Sequence, residues 1–247
     1  MQYSNRHNLP ESIVDAIKKN TYDVKTNDPK IISITTLINT PRIRQLTIRH
    51  WDDIEVDVSD SIWLLLGSSV HAVMERISEK DRFIEERITE PVNGIMVTGK
   101  ADLYEGKTCG IEDYKVTSVY KIKYDSPEWE NQLNCYAWFY RKLGFVVNTI
   151  HVNAILRDWR RYEAQRQKDY PEFAFKKIDI TLWTLEKQQA FIEKRVKLHL
   201  EAQTMKSEDL PLCTEKERWC NEKKKDMRCQ EYCNVNRFCS YYNKQIY

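Results

Sequence analysis

Glycine and proline are scarce in this chain, six and seven among 247 residues. So little of either argues against low-complexity linkers, and 41% apolar with 11% aromatic residues predicts an ordered globular protein rather than a disordered tail or repeat array. The length suits one large domain, or one domain with a small appendage. Long hydrophobic runs are missing too. The nearest, "IWLLLGSSVHAVM", is interrupted and falls short of the roughly 18 residues a membrane helix needs. The opening "MQYSNRHNLP" lacks the apolar core of a signal peptide, so we expect a soluble, cytoplasmic protein with no membrane partner. An excess of one charge is also absent: the net charge is +2, which excludes a global basic field for nucleic acid.

What is present is local. From Arg157 to Lys168, "RDWRRYEAQRQK" sets five basic and two acidic residues around Trp159 and Tyr162. That mixture suits phosphate contacts with base stacking, making Arg157, Arg160 and Arg161 candidate nucleic-acid contacts; a solvated surface face reads equally well. Seven cysteines without a signal peptide argue against a disulfide framework. Cys109 and Cys135 stand alone, whereas Cys213, Cys220, Cys229, Cys233 and Cys239 crowd the last 35 residues. Thiolates so close together suit a soft metal in a reducing compartment: tetrahedral Zn²⁺ or an iron–sulfur cluster, with free buried cysteines as the alternative.

Periodicity predicts a short helix in "NLPESIVDAIKKN", a helical region over 28–51 broken by Pro41, and a longer helix over 59–80 capped by Ser59 or Asp60. Alternation predicts strands over 82–92 and 94–104, a turn at Glu105-Gly106-Lys107, and a third strand from Gly110 to Thr117. Ser126, Pro127 and Gly144 bracket a helix. Strands near 148–157 and 174–182 and a helix from Leu185 to about Thr204 complete an α/β core.

On a strand, Asp113 and Lys115 project to one side while Glu112 and Tyr114 face the other. Asp102, near the end of the preceding strand, reaches the first side if the two strands pair. Two carboxylates and an ammonium would hold Mg²⁺ through hard oxygen ligands and serve phosphodiester hydrolysis. The alternative is a surface hairpin edge whose charges pair with one another.

These residues stand in an order that resembles the PD-(D/E)xK nuclease superfamily and, within it, RecB-like exonucleases including Cas4 and phage nucleases. "GKADLYE" and "IEDYKVTS" supply the acid and acid-x-Lys elements through Asp102, Asp113 and Lys115; "GSSVHAVMERI" matches the Gly-x-x-x-His-x-x-x-Glu helix through Gly67, His71 and Glu75; "QLNCYAWFY" matches the Gln-x-x-x-Tyr element through Gln132 and Tyr136. The match covers about 65–140. It implies a restriction-endonuclease-like α/β core, a mixed central β-sheet flanked by helices. It also implies that His71, Asp102 and Asp113 hold Mg²⁺ or Mn²⁺, that Lys115 serves the attacking water, and that Gln132 and Tyr136 shape the site. Glu86 sits where some relatives place a further acid, with Glu85 and Glu90 as competitors. "SITTLINTPRIRQLTIRH" is similar to the opening of phage RecB-like nucleases, and Arg42, Arg44 and Arg49 on it could touch a DNA backbone. Cys229, Cys233 and Cys239 resemble the compact group that holds a [4Fe–4S] cluster in such nucleases, with Cys220, or Cys213 in its stead, as fourth ligand.

The resulting expectation is a metal-dependent deoxyribonuclease, more an exonuclease than an endonuclease, acting on single strands or duplex ends in replication, recombination or repair. A silent module that keeps the fold and binds DNA or a replication partner is the alternative. A homo-oligomer, and a phage or bacterial setting, are compatible with the resemblance. Its expected organisation is an N-terminal helical region over 1–58, a nuclease core over 59–208 and a small Cys-rich segment over 209–247.

Overall fold

A computed structural model describes residues 1–20, 28–77, 79–124 and 126–246. Position 78, inside the expected 59–80 helix, and positions 21–27, inside the expected N-terminal helical region, lie outside the described residues. In chain order the first elements are β1 (Gln2–Ser4), α1 (Glu11–Lys19), β2 (Ile31–Ser33), α2 (Ile34–Leu37), α3 (Pro41–Arg49) and β3 (Glu55–Asp57). The middle holds α4 (Ile62–Met74), β4 (Arg82–Ile84), β5 (Arg87–Val92), β6 (Ile95–Lys100), β7 (Leu103–Glu105), β8 (Gly110–Thr117) and α5 (Pro127–Lys142). There follow β9 (Thr149–Leu156), α6 (Arg161–Arg166), β10 (Phe175–Ile180), α7 (Leu185–Thr204), α8 (Met227–Glu231) and α9 (Ser240–Ile246).

The chain forms two compact units. One comprises Met1–Ile62, Pro91–Val97 and the chain from Ile192 onward; the other comprises Trp63–Glu90 and Thr98–Phe191. Residues 1–58 and 209–246 thus fall in the same unit.

The second unit is built on a five-stranded mixed sheet of order β10-β9-β8-β7-β4. β8 lies at its centre, antiparallel to β7 and parallel to β9 over eight residue pairs, from Gly110↔Thr149 to Thr117↔Leu156. A parallel pair needs a crossover, and α5 supplies it. Pro127 opens that helix, Glu128 and Glu130 complement its positive end, and Arg141 and Lys142 its negative end. Gly144, at φ +87°, turns the chain out of it. Tyr140 of α5 stacks on Tyr104 of β7 with ring centroids 4.7 Å apart, and Phe145 closes edge-on against both. Gly106 makes the β7–β8 turn because its bare Cα allows its N–H to donate to Asp81 O at 2.8 Å; a Cβ there would stand 2.6 Å from that oxygen.

The two long strands expected over 82–92 and 94–104 each divide. Asp81 and Glu85 take left-handed conformations, at φ +73° and +54°, so β4 ends at Ile84 and joins the five-stranded sheet. β5 and β6 belong instead to a three-stranded sheet of order β2-β6-β5, turned by Asn93 and Gly94 at φ +47° and +84°. The helix expected from Ser59 starts later. Asp57 accepts from Ser59 N at 3.1 Å and caps a 3-10 turn over Val58–Ser61, and α4 begins at Ile62.

In the first unit Leu46, Ile54, Ala202, Leu210, Val235 and Cys239 form a core cluster. The arginines expected to face DNA are internal ties here. Arg42 is 2% exposed and donates to Cys239 Sγ (3.2 Å), Leu210 O (2.5 Å) and Ser240 Oγ (2.8 Å). Arg44 is 3% exposed and donates to Pro29 O at 3.0 Å, and Arg49 reaches Met205 O at 2.6 Å. Burial of a guanidinium is tolerable where carbonyls take up its donors; each of the three meets at least one, though Arg44 leaves its buried Nη1 without a partner among the described residues.

Candidate functional site

β8 carries the chemistry of the second unit. Its alternation puts Glu112 and Tyr114 on one face and Asp113 and Lys115 on the other. Lys115 Nζ lies 2.9 and 2.8 Å from the two oxygens of Asp113, which is 2% exposed. Asp102, in the link between β6 and β7, turns back onto β8: its Oδ2 accepts from Tyr114 N at 2.6 Å. Its Oδ1 faces His71 Nδ1 of α4 at 3.4 Å, and the same nitrogen lies 2.9 Å from Glu85 Oε1. Lys100 Nζ closes the cluster against Glu85 Oε2.

The electrostatics follow from burial and crowding. Burial, with Asp113 nearby, pushes the Asp102 carboxyl up to about 7. The hydrogen bond to Glu85 holds His71 above its ordinary value against the opposing effect of burial. Burial also works against the charge on Glu85, yet the bonds to His71 and Lys100 hold its carboxyl below the usual range. From α5, Gln132 Nε2 donates to Tyr136 OH at 2.9 Å. Burial and then the Asp113 charge raise the Tyr136 phenol well above its ordinary value, so it stays protonated beneath the carboxylates.

Ligand atoms of His71, Glu85 and Asp102 all lie within 4.8 Å of one another, the one such group of three among the described residues. One imidazole and two carboxylates, with a strained acid charge between them, fit a hard divalent cation. Asp113, expected among the ligands, bonds to Lys115 and lies outside this group of three, whereas Glu85 lies within it. Glu86, favoured over Glu85 in sequence, is exposed. What brings Glu85 in is its own left-handed backbone, with its N–H donating to Asp102 O at 3.1 Å. Such a conformation costs a non-glycine residue about 1–2 kcal/mol, and no sequence pattern announces it.

The opposite face of β8 holds a second polar set that sequence reasoning did not single out. Glu112 takes bonds from Tyr114 OH (2.9 Å) and Asn153 Nδ2 (2.7 Å) and faces His151 Nε2 at 3.4 Å. The register Glu112↔His151 and Tyr114↔Asn153 dictates this grouping.

Of the expected nucleic-acid contacts, Arg157, Arg160 and Arg161 are all exposed. Arg157 packs its guanidinium 4.7 Å over the Trp63 ring. In the first unit, Cys213, Cys229, Cys233 and Cys239 line one cavity of about 20 Å³ together with Arg42. Burial pushes the Cys229 thiol up to about 11, and burial raises Cys213 and Cys233 too. Cys220, the expected fourth ligand, does not line that cavity; it is half-buried, its sulfur 3.8 Å from Asn221 O. Cys213, the substitute, is the cysteine that joins the compact trio. Four thiols and a guanidinium bonded to one of them fit a thiophilic centre.

No helix among the described residues is long and apolar enough to cross a membrane. No family model matches the chain. No curated protein matches it either. Among solved structures, one titled as the crystal structure of SSO0001 is 16% identical, covering 92% of this chain and 94% of that one with a TM-score of 0.59. Another, a phage-related exonuclease from Haemophilus somnus 129PT, is 12% identical over 78% of this chain and 79% of its own, with a TM-score of 0.34. The chain therefore has a mixed α/β fold, a mixed multi-stranded sheet flanked by helices, similar to that of SSO0001.

Proposed function

We propose that the chain is a divalent-cation-dependent deoxyribonuclease of the RecB-like, PD-(D/E)xK type that hydrolyses phosphodiester bonds from the ends of DNA strands. The observation that carries this reading is the convergence of His71, Glu85 and Asp102 beside the Asp113–Lys115 pair. His71, Glu85 and Asp102 would hold Mg²⁺ or Mn²⁺, with Asp113 adding charge from the adjacent strand. When bound, the cation would neutralise phosphate charge and acidify a water.

The protein's own groups do the rest. The ion pair with Asp113 holds Lys115 Nζ beside the site, from where it would orient the attacking water and donate to oxygen charge as it develops. Protonated Tyr136, held by Gln132, offers no negative charge to repel a phosphate. A module that only bound DNA would have no need to bury two carboxylates around a histidine.

Cys213, Cys229, Cys233 and Cys239 would hold a [4Fe–4S] cluster or Zn²⁺ that braces the C-terminal segment. No three ligand groups that include these thiols lie within 4.8 Å among the described residues, wider than the roughly 3.8 Å between sulfurs around a tetrahedral zinc. The cavity itself is small, so sulfurs would close in on zinc or part for a cluster. The reading places the protein inside a cell, a phage-infected bacterium among them.

Degradation of end-labelled single-stranded and duplex DNA with Mg²⁺, Mn²⁺ or EDTA tests it, comparing wild type with Lys115→Ala and Glu85→Gln. Cation-dependent loss of label, abolished in Lys115→Ala and reduced at least ten-fold in Glu85→Gln, is expected. A folded, Mn²⁺-supplied wild type that cuts neither substrate would overturn the proposal.

A further inference from the structure

α4 is an unusual helix for a folded domain. It is apolar, yet none of its thirteen residues is buried. Trp63 is 60% exposed, with the Arg157 guanidinium 4.7 Å over its ring. The pairing recurs nearby in sequence: Tyr162 is 59% exposed and carries Arg166 at 4.8 Å. Tyr120 and Tyr124, 68% and 59% exposed, lie with ring centroids 4.9 Å apart.

The fold brings these rings to one end of the sheet. β8 and β9 run parallel and finish together at Thr117↔Leu156, so the segments that follow leave from the same edge. Arg157 N donates to Thr117 O at 3.0 Å and Asp158 Oδ1 accepts from Val119 N at 2.8 Å, tying the two exits together. That edge is two residues past Lys115. Along α4, Trp63 lies eight residues, or ~12 Å, before His71. Between them is Gly67, where a Cβ would meet nothing within 4 Å, leaving bare helix backbone open to close approach.

We infer that Trp63 with Arg157, and Tyr162 with Arg166, form a base-stacking track that leads single-stranded DNA to the His71–Glu85–Asp102 site. The inference rests on the nuclease reading for its destination but not for its chemistry. An exposed ring with a guanidinium on it offers an unpaired base a π-face and the adjoining phosphate a charge. Duplex DNA cannot use such a track, because its bases are already stacked on one another. Leu64 and Leu66 of α4 are also exposed, at 39% and 40%, and a protein partner would use those. Trp63 and Tyr162 argue for nucleic acid because each is paired with an arginine, whose charge an apolar partner would have to strip of water. Trp159, the tryptophan inside the basic run, is not part of the track: its Nε1 donates to Pro171 O at 2.8 Å and pins the loop.

The test is fluorescence anisotropy in EDTA with a labelled oligodeoxythymidine and, separately, a blunt duplex hairpin. Trp63→Ala and Tyr162→Ala should each weaken oligodeoxythymidine binding about ten-fold or more. Trp63→Phe should recover to within about three-fold of wild type, and hairpin affinity should stay unchanged. Circular dichroism and the Phe variant separate loss of a ring from loss of folding. Unchanged oligodeoxythymidine affinity in both alanine variants, or an equal loss on the hairpin, would overturn the track; altered sedimentation of Trp63→Ala would then reassign the face to a protein partner. Wild type that fails to bind oligodeoxythymidine overturns it as well. Wild type that binds but never cuts in Mn²⁺ defeats the nuclease reading and leaves the track standing.

Discussion

His199 sits on α7 with no exposure at all, its Nε2 3.1 Å from Leu37 O and its Nδ1 without a partner among the described residues. Burial lowers its imidazole from 6.5 to about 3, with Arg195 and Arg44 adding to the effect. The unfolded chain therefore binds a proton that the folded chain refuses. A depressed folded value means that stability is full above pH ~6.5 and is lost as pH falls toward 3, at up to ~1.4 kcal/mol per pH unit. Between pH 7.5 and 5 the wild type should lose about 2 kcal/mol that His199→Gln does not, read as the shift in urea midpoint. Parallel pH dependence of the two proteins would show that His199 does not titrate on unfolding.

The same scale explains what sequence could reveal of the site. Asp113 and Lys115 stand two apart on a strand, and Gln132 and Tyr136 four apart on a helix, so each pair's shared face could be read before any coordinates; that His71 and Asp102 belong with them was implied only by the family resemblance. Glu85 could not, because its place depends on a left-handed backbone that a glutamate rarely adopts. Trp63 was hidden for a different reason. An apolar helix predicts burial, and only the folded chain reveals its ring under Arg157.

At the scale of elements, local chemistry made β8 and α7 legible to the residue: Gly110 to Thr117 alternates between turn signals, and Leu185 to Thr204 lacks any helix breaker. The strands expected over 82–92 and 94–104 are shorter in the fold because alternation continues through Glu85 and Asp102 while the chain changes sheets. Turn geometry can be tested through one substitution made in two places. Gly106→Ala sets a Cβ 2.6 Å from the Asp81 carbonyl, and should cost about 1–3 kcal/mol. Gly67→Ala meets nothing within 4 Å in a helix interior, and should gain about 0.5–1 kcal/mol. Thermal melts check both, and shifts of the same sign would contradict the turn geometry.

For the whole molecule, cysteine spacing alone did not say which thiols meet. Cys213 and Cys220 are close in sequence, but only Cys213 shares a cavity with Cys229, Cys233 and Cys239. Cys213→Ser should therefore strip most bound iron or zinc and lower the melting temperature by several degrees, whereas Cys220→Ser should change neither. Metal analysis and visible absorbance of the purified variants decide between them; equal metal in wild type and Cys213→Ser would remove it from the ligand set.

The arrangement of the two units along the chain has a consequence for synthesis. The unit holding Trp63–Glu90 and Thr98–Phe191 is complete once Phe191 has been made. The other needs residues from Met1 to Ile62 and also those beyond Ile192, since Arg42 closes on Leu210, Cys239 and Ser240. At 5–20 residues per second, its segment Met1–Ile62 waits on the order of ten seconds on the ribosome for its partners. The candidate metal site of the second unit can thus form while Arg42 still lacks those partners, and any metal bound by the cysteines can be loaded only once Cys239 has been made.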